Sequence, residues 1–298
     1  MLATAAERRD NYIDNMRSLF GAVADLYYAN WGEFFHLAIF NDGDDPRDFD
    51  AALERTHQRY FNAIQGASAK RILELGSGGG AFSEWMAQRA PGQVVGVDIS
   101  PAQLAHARER VKRGKLSNLH FFEHDIMRIG DLRGEPFDAA VCLDTACYLP
   151  DKRAALKEIS TQLRGGAKFL LVDWCRPEQM TPLQQQMILE PFCRYWCIPA
   201  METVDSYRRA FKATGFRLLE LNNLSARVAP NWERGYCLAQ RALADRGTEQ
   251  LLTIGASTLR DGSRAVKLAK DQFYAAIFAK VAADAGLLKY VLFLGERL

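Results

Sequence analysis

The stretch from Arg71 to Ser100, RILELGSGGGAFSEWMAQRAPGQVVGVDIS, limits what this chain can fold into more than any other. A short apolar strand over Ile72 to Leu75 runs into Gly76, Gly78, Gly79 and Gly80. A helical pattern over Phe82 to Arg89 follows, then a second apolar strand, Val94 to Val97, closed by Asp98. This is a βαβ unit with a glycine turn and an acidic residue about 20 positions on, the layout of a nucleoside-binding half-fold. Gly76 and Gly78 let the backbone turn tightly and approach a ligand, because no Cβ intervenes. Asp98 is then expected to accept both ribose hydroxyls. Gly76, Gly78 and Ala81 satisfy G-x-G-x-x-A, so a dinucleotide is a fair reading; Gly76, Gly78 and Gly80 also give G-x-G-x-G. Glu74 tilts the balance. A carboxylate two residues before the first glycine repels a pyrophosphate and attracts a ligand carrying an ammonium and a sulfonium, as S-adenosylmethionine does.

Strands and helices alternate after this unit. Pro101 opens a helix, where proline is tolerated at the first position. Leu119 to Glu123 is a third strand, Phe137 to Leu143 a fourth, and Asp151 to Leu163 a helix stopped by Arg164-Gly165-Gly166. Lys168 to Trp174 is a fifth strand, Val204 to Thr214 a helix, Phe216 to Leu221 a sixth strand and Tyr290 to Leu294 the last. The rhythm implies an α/β fold, a largely parallel Rossmann-like sheet with helices on both faces. Ligands of such sheets sit beyond the carboxyl ends of the strands. Glu74, Asp98, Asp125 and Asp144 fall at four successive strand ends. Asp125 can accept from an adenine amino group, and Ile126 can offer its backbone N–H to the ring.

Two segments break the rhythm, about 175–203 and 227–288. The first is divided by Pro177, Pro182, Pro191 and Pro199 and suits a lid. The second is helical by pattern, with Leu238, Leu243, Leu251, Leu252 and Ile254, then Phe273, Ile277, Phe278 and Val281. At the N-terminal side, residues 7–28 form an amphipathic pattern and 48–65 a second helix. Between them six aromatic rings fall within ten residues, from Tyr27 to His36, followed by the polar loop Asn41 to Pro46. The expected organisation is a helical N-terminal flap over 1–65 and a ligand-binding domain over 66–298 carrying both insertions. The 7–28 helix could close over the ligand or pair with a second copy of the chain.

Composition removes other classes. Among 298 residues, 38 basic and 36 acidic side chains leave a net charge of +2, which provides no basic field for nucleic acid. The apolar runs are too short for a membrane span. The charged N-terminus has no apolar core, so a cytoplasmic location is expected. Six cysteines include no C-x-x-C; Cys193 and Cys197 share a helix face but have no histidine pair nearby, so no metal is expected.

With these pieces together the chain resembles the class I S-adenosylmethionine-dependent methyltransferases. It looks most like the group around γ-tocopherol methyltransferase, which includes alkaloid N-methyltransferases, and more distantly like sterol C24-methyltransferases. The pieces that carry the likeness are Trp31-Gly32 with His36, LELGSGGG, VGVDISPAQLAHA, and Asp144 to Lys152 ending in LPDK. To these are added the run Leu171 to Cys175, Tyr195 with Pro199, and Leu224 to Trp232, which contains VAP-x-W. The resemblance implies strand order 3-2-1-4-5-7-6 with the last strand antiparallel. It implies S-adenosylmethionine held by Glu74, Gly76, Ser77, Gly78, Asp98, Ile99, Gln103, Asp125, Ile126, Leu143 and Asp144.

One departure bears on the chemistry. Many relatives carry Glu-His after strand four, where this chain has Cys147-Tyr148. Tyrosine is a poor base at neutral pH, with a reference pKa of about 10. Methyl transfer from a sulfonium draws mainly on proximity and alignment. An alkene or free amine needs no strong base before attack, whereas a phenol or hydroxyl does. The expectation is methyl transfer to carbon or nitrogen of a largely apolar small molecule, isoprenoid-type or aromatic. His36 and Tyr148 are the catalytic candidates, His36 as substitute base or orienting group. Trp31, Phe35, Trp174, Tyr195, Trp196 and Trp232 are the expected acceptor walls. O-methylation of a phenol or carboxylate and NAD-dependent oxidoreduction are the alternatives.

Overall fold

The computed structural model describes residue 7, residues 10–244 and residues 262–298. Leu251, Leu252 and Ile254, expected to be helical, lie outside the described residues. The chain enters as α1 (Tyr12–Asn30) and α2 (Phe49–Ala63), then alternates β1 (Arg71–Leu75), α3 (Ala81–Ala87), β2 (Gln93–Asp98), α4 (Pro101–Gly114), β3 (Leu119–Glu123), β4 (Phe137–Leu143), α5 (Lys152–Thr161) and β5 (Leu163–Cys175). The first irregular stretch holds α6 (Glu190–Tyr195), preceded by a short turn and a π-helical segment, Gln185–Leu189. After it come α7 (Val204–Ala213), β6 (Phe216–Asn223), α8 (Ala229–Ala244), α9 (Gly262–Asp284) and β7 (Lys289–Arg297).

The seven strands form one sheet in the order β3-β2-β1-β4-β5-β7-β6, with β7 antiparallel to both its neighbours, as expected. Period-two alternation sorts their side chains onto two buried faces. Ile72, Val94, Val141, Leu170 and Val172 pack on one, beneath α2, α3 and the helical insertions; Leu73, Leu75, Val95, Cys142 and Leu171 pack on the other. The strand order reverses between β1 and β4, so the crevice lies above the carboxyl ends of β1, β2 and β4. Helix starts follow their sequence signals. Ser100, Asp151 and Thr203 each accept a backbone N–H three residues on, capping α4, α5 and α7.

The fifth strand starts earlier than expected. α5 ends at Thr161, two residues before the expected Leu163, and Leu163 with Arg164-Gly165-Gly166 already belongs to β5: Phe137 pairs with Leu163, and the register shifts before Ala139 pairs with Lys168. Gly166 sits at φ +82°, so the chain kinks inside the ladder instead of before it.

Candidate active site

The carboxyl ends of β1, β2, β3 and β4 open into one cavity, roofed by α1, the 31–37 segment, α8 and α9. All eleven residues expected to hold the cofactor line it: Glu74, Gly76, Ser77, Gly78, Asp98, Ile99, Gln103, Asp125, Ile126, Leu143 and Asp144. Gly76 has φ +72°, and a Cβ built there would lie 2.3 Å from the Thr145 side chain. Asp98 ties turn to strand, accepting from Gly78 N and Ser100 N at 2.8 Å each. Asp125 accepts from Met127 N at 2.8 Å and from the Tyr12 hydroxyl. Asp144 is held at φ +48°, rare for a residue with a side chain and a form of strain that collects at functional sites. Its Oδ2 accepts from Tyr290 Oη at 3.2 Å.

Three polar atoms on this lining, Ser77 Oγ, Gln103 Nε2 and Asp144 Oδ1, are buried with no partner among the described residues. Native proteins leave few such atoms, and here they converge on one cavity. Together with the glycine cradle they fit S-adenosylmethionine: glycine turn and acids for the amino-acid end, Asp98 for the ribose, Asp125 for the adenine edge.

Glu74 differs from its sequence reading in charge, not in position. It is buried, and burial raises its pKa to about 8, partly offset by the hydrogen bond it accepts from Ser83 Oγ. At neutral pH the carboxyl is therefore mostly protonated, and a cation binding beside it has to draw the proton off. Burial likewise raises Asp98, opposed by its backbone hydrogen bonds, and raises Asp144 well above the usual carboxylate range.

Helix α1 closes the side of the cavity that holds Ile99, Gln103 and Asp125. Tyr12 donates to Asp125, Arg17 donates to Ile99 O at 3.1 Å and pairs with Glu123 at 2.6 Å, and Tyr28 donates to Gln103 Oε1 at 2.7 Å. Its apolar stripe, Met16, Leu19 and Val23, is buried within the chain. The following segment is pinned to the start of α8. Asn231 accepts from Ala38 N at 2.9 Å and donates to Ala38 O at 2.8 Å, while Phe40 N donates to Arg227 O at 2.9 Å.

His36 lines the cavity beside a second, hidden histidine. Its Nε2 faces His57 Nε2 at 2.9 Å, and the pair is boxed in by Phe34, Tyr60, Phe82 and Trp85. Burial lowers the His36 pKa to about 3 and that of His57 to about 2. A base that weak takes little proton density from a hydroxyl near pH 7. Tyr148 also borders the cavity, edge-on to Phe20, and burial pushes its hydroxyl well above the usual tyrosine range. Neither catalytic candidate is a ready base.

The far wall is aromatic. Trp174 stacks on Trp196 at 4.4 Å and meets Trp232 edge-on at 5.8 Å; Trp31 and Phe35 complete the lining. Tyr195 does not belong to it. Its ring stacks on Tyr274 and Phe278 and docks α6 against α9, turned away from the cavity. Sequence reasoning missed His57, Tyr12 and Asn231. No local spacing links them to their partners, which lie 21, 113 and 193 positions away.

Among the described residues no cluster of three or more histidine, cysteine or acidic side chains could hold a metal, and no helix is long and apolar enough to cross a membrane. Residues 73–171 match the family described as methyltransferase domain. The chain is 27% identical to the sterol 24-C-methyltransferase of Kluyveromyces lactis over 74% of its own length, and the match spans only 60% of that relative. It is 20% identical to the chloroplastic tocopherol O-methyltransferase of Arabidopsis thaliana over 87% of its length and 78% of the relative's. Geranyl diphosphate C-methyltransferase from Streptomyces coelicolor, solved with Mg2+, geranyl diphosphate and S-adenosyl-L-homocysteine, superposes with a TM-score of 0.68 at 15% identity, covering 96% of this chain and 98% of that one. With the sheet order, the glycine cradle and the acids at the strand ends in place, residues 73–171 form a methyltransferase domain whose cofactor is S-adenosylmethionine.

Proposed function

We propose that the protein transfers the methyl group of S-adenosylmethionine to carbon, or to an amine nitrogen, of a largely apolar small molecule of isoprenoid or aromatic type. The observation that carries this is the continuity of the cavity: the polar cofactor lining runs directly into a wall of indole and phenyl rings. When bound, S-adenosylmethionine supplies an electrophilic methyl on a sulfonium. The protein's own part is to exclude water, align the acceptor and stabilise positive charge developing on it. The faces of Trp174, Trp196 and Trp232 suit that charge, and the carboxyls of Glu74 and Asp144 add to it when ionised. The sterol, tocopherol and geranyl diphosphate relatives point to an isoprenoid acceptor.

Carbon or nitrogen is preferred over oxygen because His36 is tied to His57 and weakly basic, and Tyr148 holds its proton tightly. We assign residues 1–65 as the flap and 66–298 as the transferase domain with its two insertions. We read the molecule as cytoplasmic, and as one whose N-terminal helix closes its own cavity instead of recruiting a second copy, since the apolar stripe of that helix is spent within the chain.

The test is to incubate the protein with S-adenosylmethionine carrying an isotope-labelled methyl and a panel of isoprenoid alkenes, amines and phenols, then locate the label by NMR. Transfer to carbon or nitrogen, with a rate that does not climb with acceptor ionisation, supports the reading. Label found on oxygen, with a rate rising as the phenol ionises, overturns it in favour of O-methylation.

A further inference from the structure

His36 and His57 form a two-ring unit whose proton positions can be deduced. Both rings are buried, and their lowered pKa values keep them neutral in the ordinary pH range, so each carries one N–H. Their facing Nε2 atoms, 2.9 Å apart, need one proton between them. Only two arrangements satisfy this. In the first, His57 Nε2–H donates to His36 Nε2, leaving a bare lone pair on His57 Nδ1 and the His36 proton on Nδ1. In the second, His36 donates, and the His57 proton is forced onto Nδ1.

His57 Nδ1 decides between them. It is buried with no hydrogen-bond partner among the described residues. Its surroundings are the rings of Phe34, Phe82 and Trp85, at 4.3, 5.1 and 5.4 Å between centroids. A stranded N–H is rarer in folded proteins than an under-used acceptor, and aromatic faces are weak substitutes for an acceptor oxygen. The first arrangement is therefore the stable one.

We infer that His36 presents an Nδ1–H donor to the acceptor cavity, so that the preferred acceptor carries a hydrogen-bond-accepting oxygen at that point and His36 acts as a specificity-determining donor, not as a base. The inference rests on reading this cavity as the acceptor site. The rings of Phe34 and Phe82 border His36, so its one donor selects for a carbonyl, ether or hydroxyl oxygen over a hydrocarbon at that point. Asn231 holds the segment in place, gripping both backbone polar groups of Ala38, two residues along from His36.

Two measurements test it. In protein labelled with nitrogen isotope at histidine, long-range proton–nitrogen correlation distinguishes Nδ1–H from Nε2–H rings. His36 and His57 stay neutral at about pH 5, given their lowered pKa values. The signals missing from His36→Gln and His57→Gln spectra assign them individually. The expected result is an Nδ1–H ring for His36 and an Nε2–H ring for His57; the reverse assignment overturns the inference. The second measurement compares binding of geranylacetone with that of its methylene analogue, in which =CH2 replaces the carbonyl oxygen, read by tryptophan fluorescence. The ketone preference should fall by about fivefold or more in His36→Phe, the loss of one neutral hydrogen bond. A preference unchanged by that substitution overturns the inference. If neither probe binds the native protein, the acceptor reading of the cavity fails, and the tautomer is still decided by NMR.

Discussion

Glu74 is expected to make cofactor binding a proton-release reaction. In the ligand-free protein its carboxyl is held near a pKa of about 8 by burial. An ammonium or sulfonium beside it stabilises the anion and returns it toward the ordinary glutamate value of about 4.3. Binding near neutral pH therefore expels close to one proton. With these two values, linkage gives an apparent affinity for S-adenosylhomocysteine that rises about 70-fold from about pH 5.5 to about pH 7.5, roughly 2.5 kcal/mol. The slope flattens as pH passes the free-state value. Calorimetry in two buffers of different ionisation enthalpy measures the protons released, and the same titrations give the affinity. Asp98, also raised by burial, contributes in the same direction, so Glu74→Gln is the control. That variant should lose most of the slope and bind more weakly at the high end. An affinity that is flat across this window, or a slope that survives Glu74→Gln, refutes the reasoning. The stability of the free protein carries the opposite sign. An acid whose folded pKa is raised contributes stability that is lost as pH rises from its unfolded value through about 8. Relative to Glu74→Gln, the free wild-type protein should therefore melt progressively lower over this window.

Other substitutions separate cradle, scaffold and flap. Asp98→Ala should weaken S-adenosylmethionine binding by about tenfold or more in calorimetry, the loss of charge-assisted hydrogen bonds that also organise the turn; an unchanged affinity removes the ribose assignment. Gly76→Ala puts a Cβ 2.3 Å from Thr145 at φ +72° and should abolish cofactor binding, whereas Gly165→Ala, with open space around it, should leave thermal stability and affinity near wild type. Lys152→Met removes a buried ammonium that donates to the carbonyls of Cys147, Leu149 and Ala200 at 3.1, 2.7 and 2.7 Å; differential scanning calorimetry should show a loss of about 3 kcal/mol or more. Asn231→Leu strands both backbone groups of Ala38 and should raise the acceptor KM far more than the cofactor Kd.

The sheet was legible because its cause is local. β1, β2 and β4 are short apolar runs closed by a glycine or an acid, and the crevice of such a sheet lies beyond the carboxyl ends of its strands. The eleven residues expected to hold the cofactor share one cavity for the same reason: ten sit at or just after a strand end, and Gln103 lies in the first turn of the helix that follows β2. The charge of Glu74 was not legible, since a pKa depends on what covers the group, and its burial comes from packing between β1 and Ser83 of α3. Tyr195 was misassigned because an aromatic ring on a helical insertion packs as readily against a neighbouring helix as against a ligand. His57 was hidden in the pattern of α2, where a histidine on the buried face looks like any other core position.

Three polar residues inside the segments that carry the family likeness are scaffold, and this shifts where specificity must be sought. Asp173, from the VDWC run, is fully buried, accepting from Cys147 N at 3.1 Å and from the Tyr207 hydroxyl; its pKa is raised to about 6 by burial. Lys152, from LPDK, knots the loop after β4 to the first insertion through Ala200. Asn231, inside VAP-x-W, ties the flap to α8. None of the three needs to touch an acceptor for its placement to matter. Together they fix Asp144 and the loop after it, the Trp174–Trp196 wall and the His36 segment relative to one another, holding the three sides of a cavity whose chemistry is set by other residues. A relative could keep all three anchors and still change its acceptor by exchanging Tyr148, or by replacing His57 with a residue that donates nothing to His36. The sharper test of acceptor identity is therefore the pair His36–His57 and the ring at 148, not the anchors Asp173, Lys152 and Asn231.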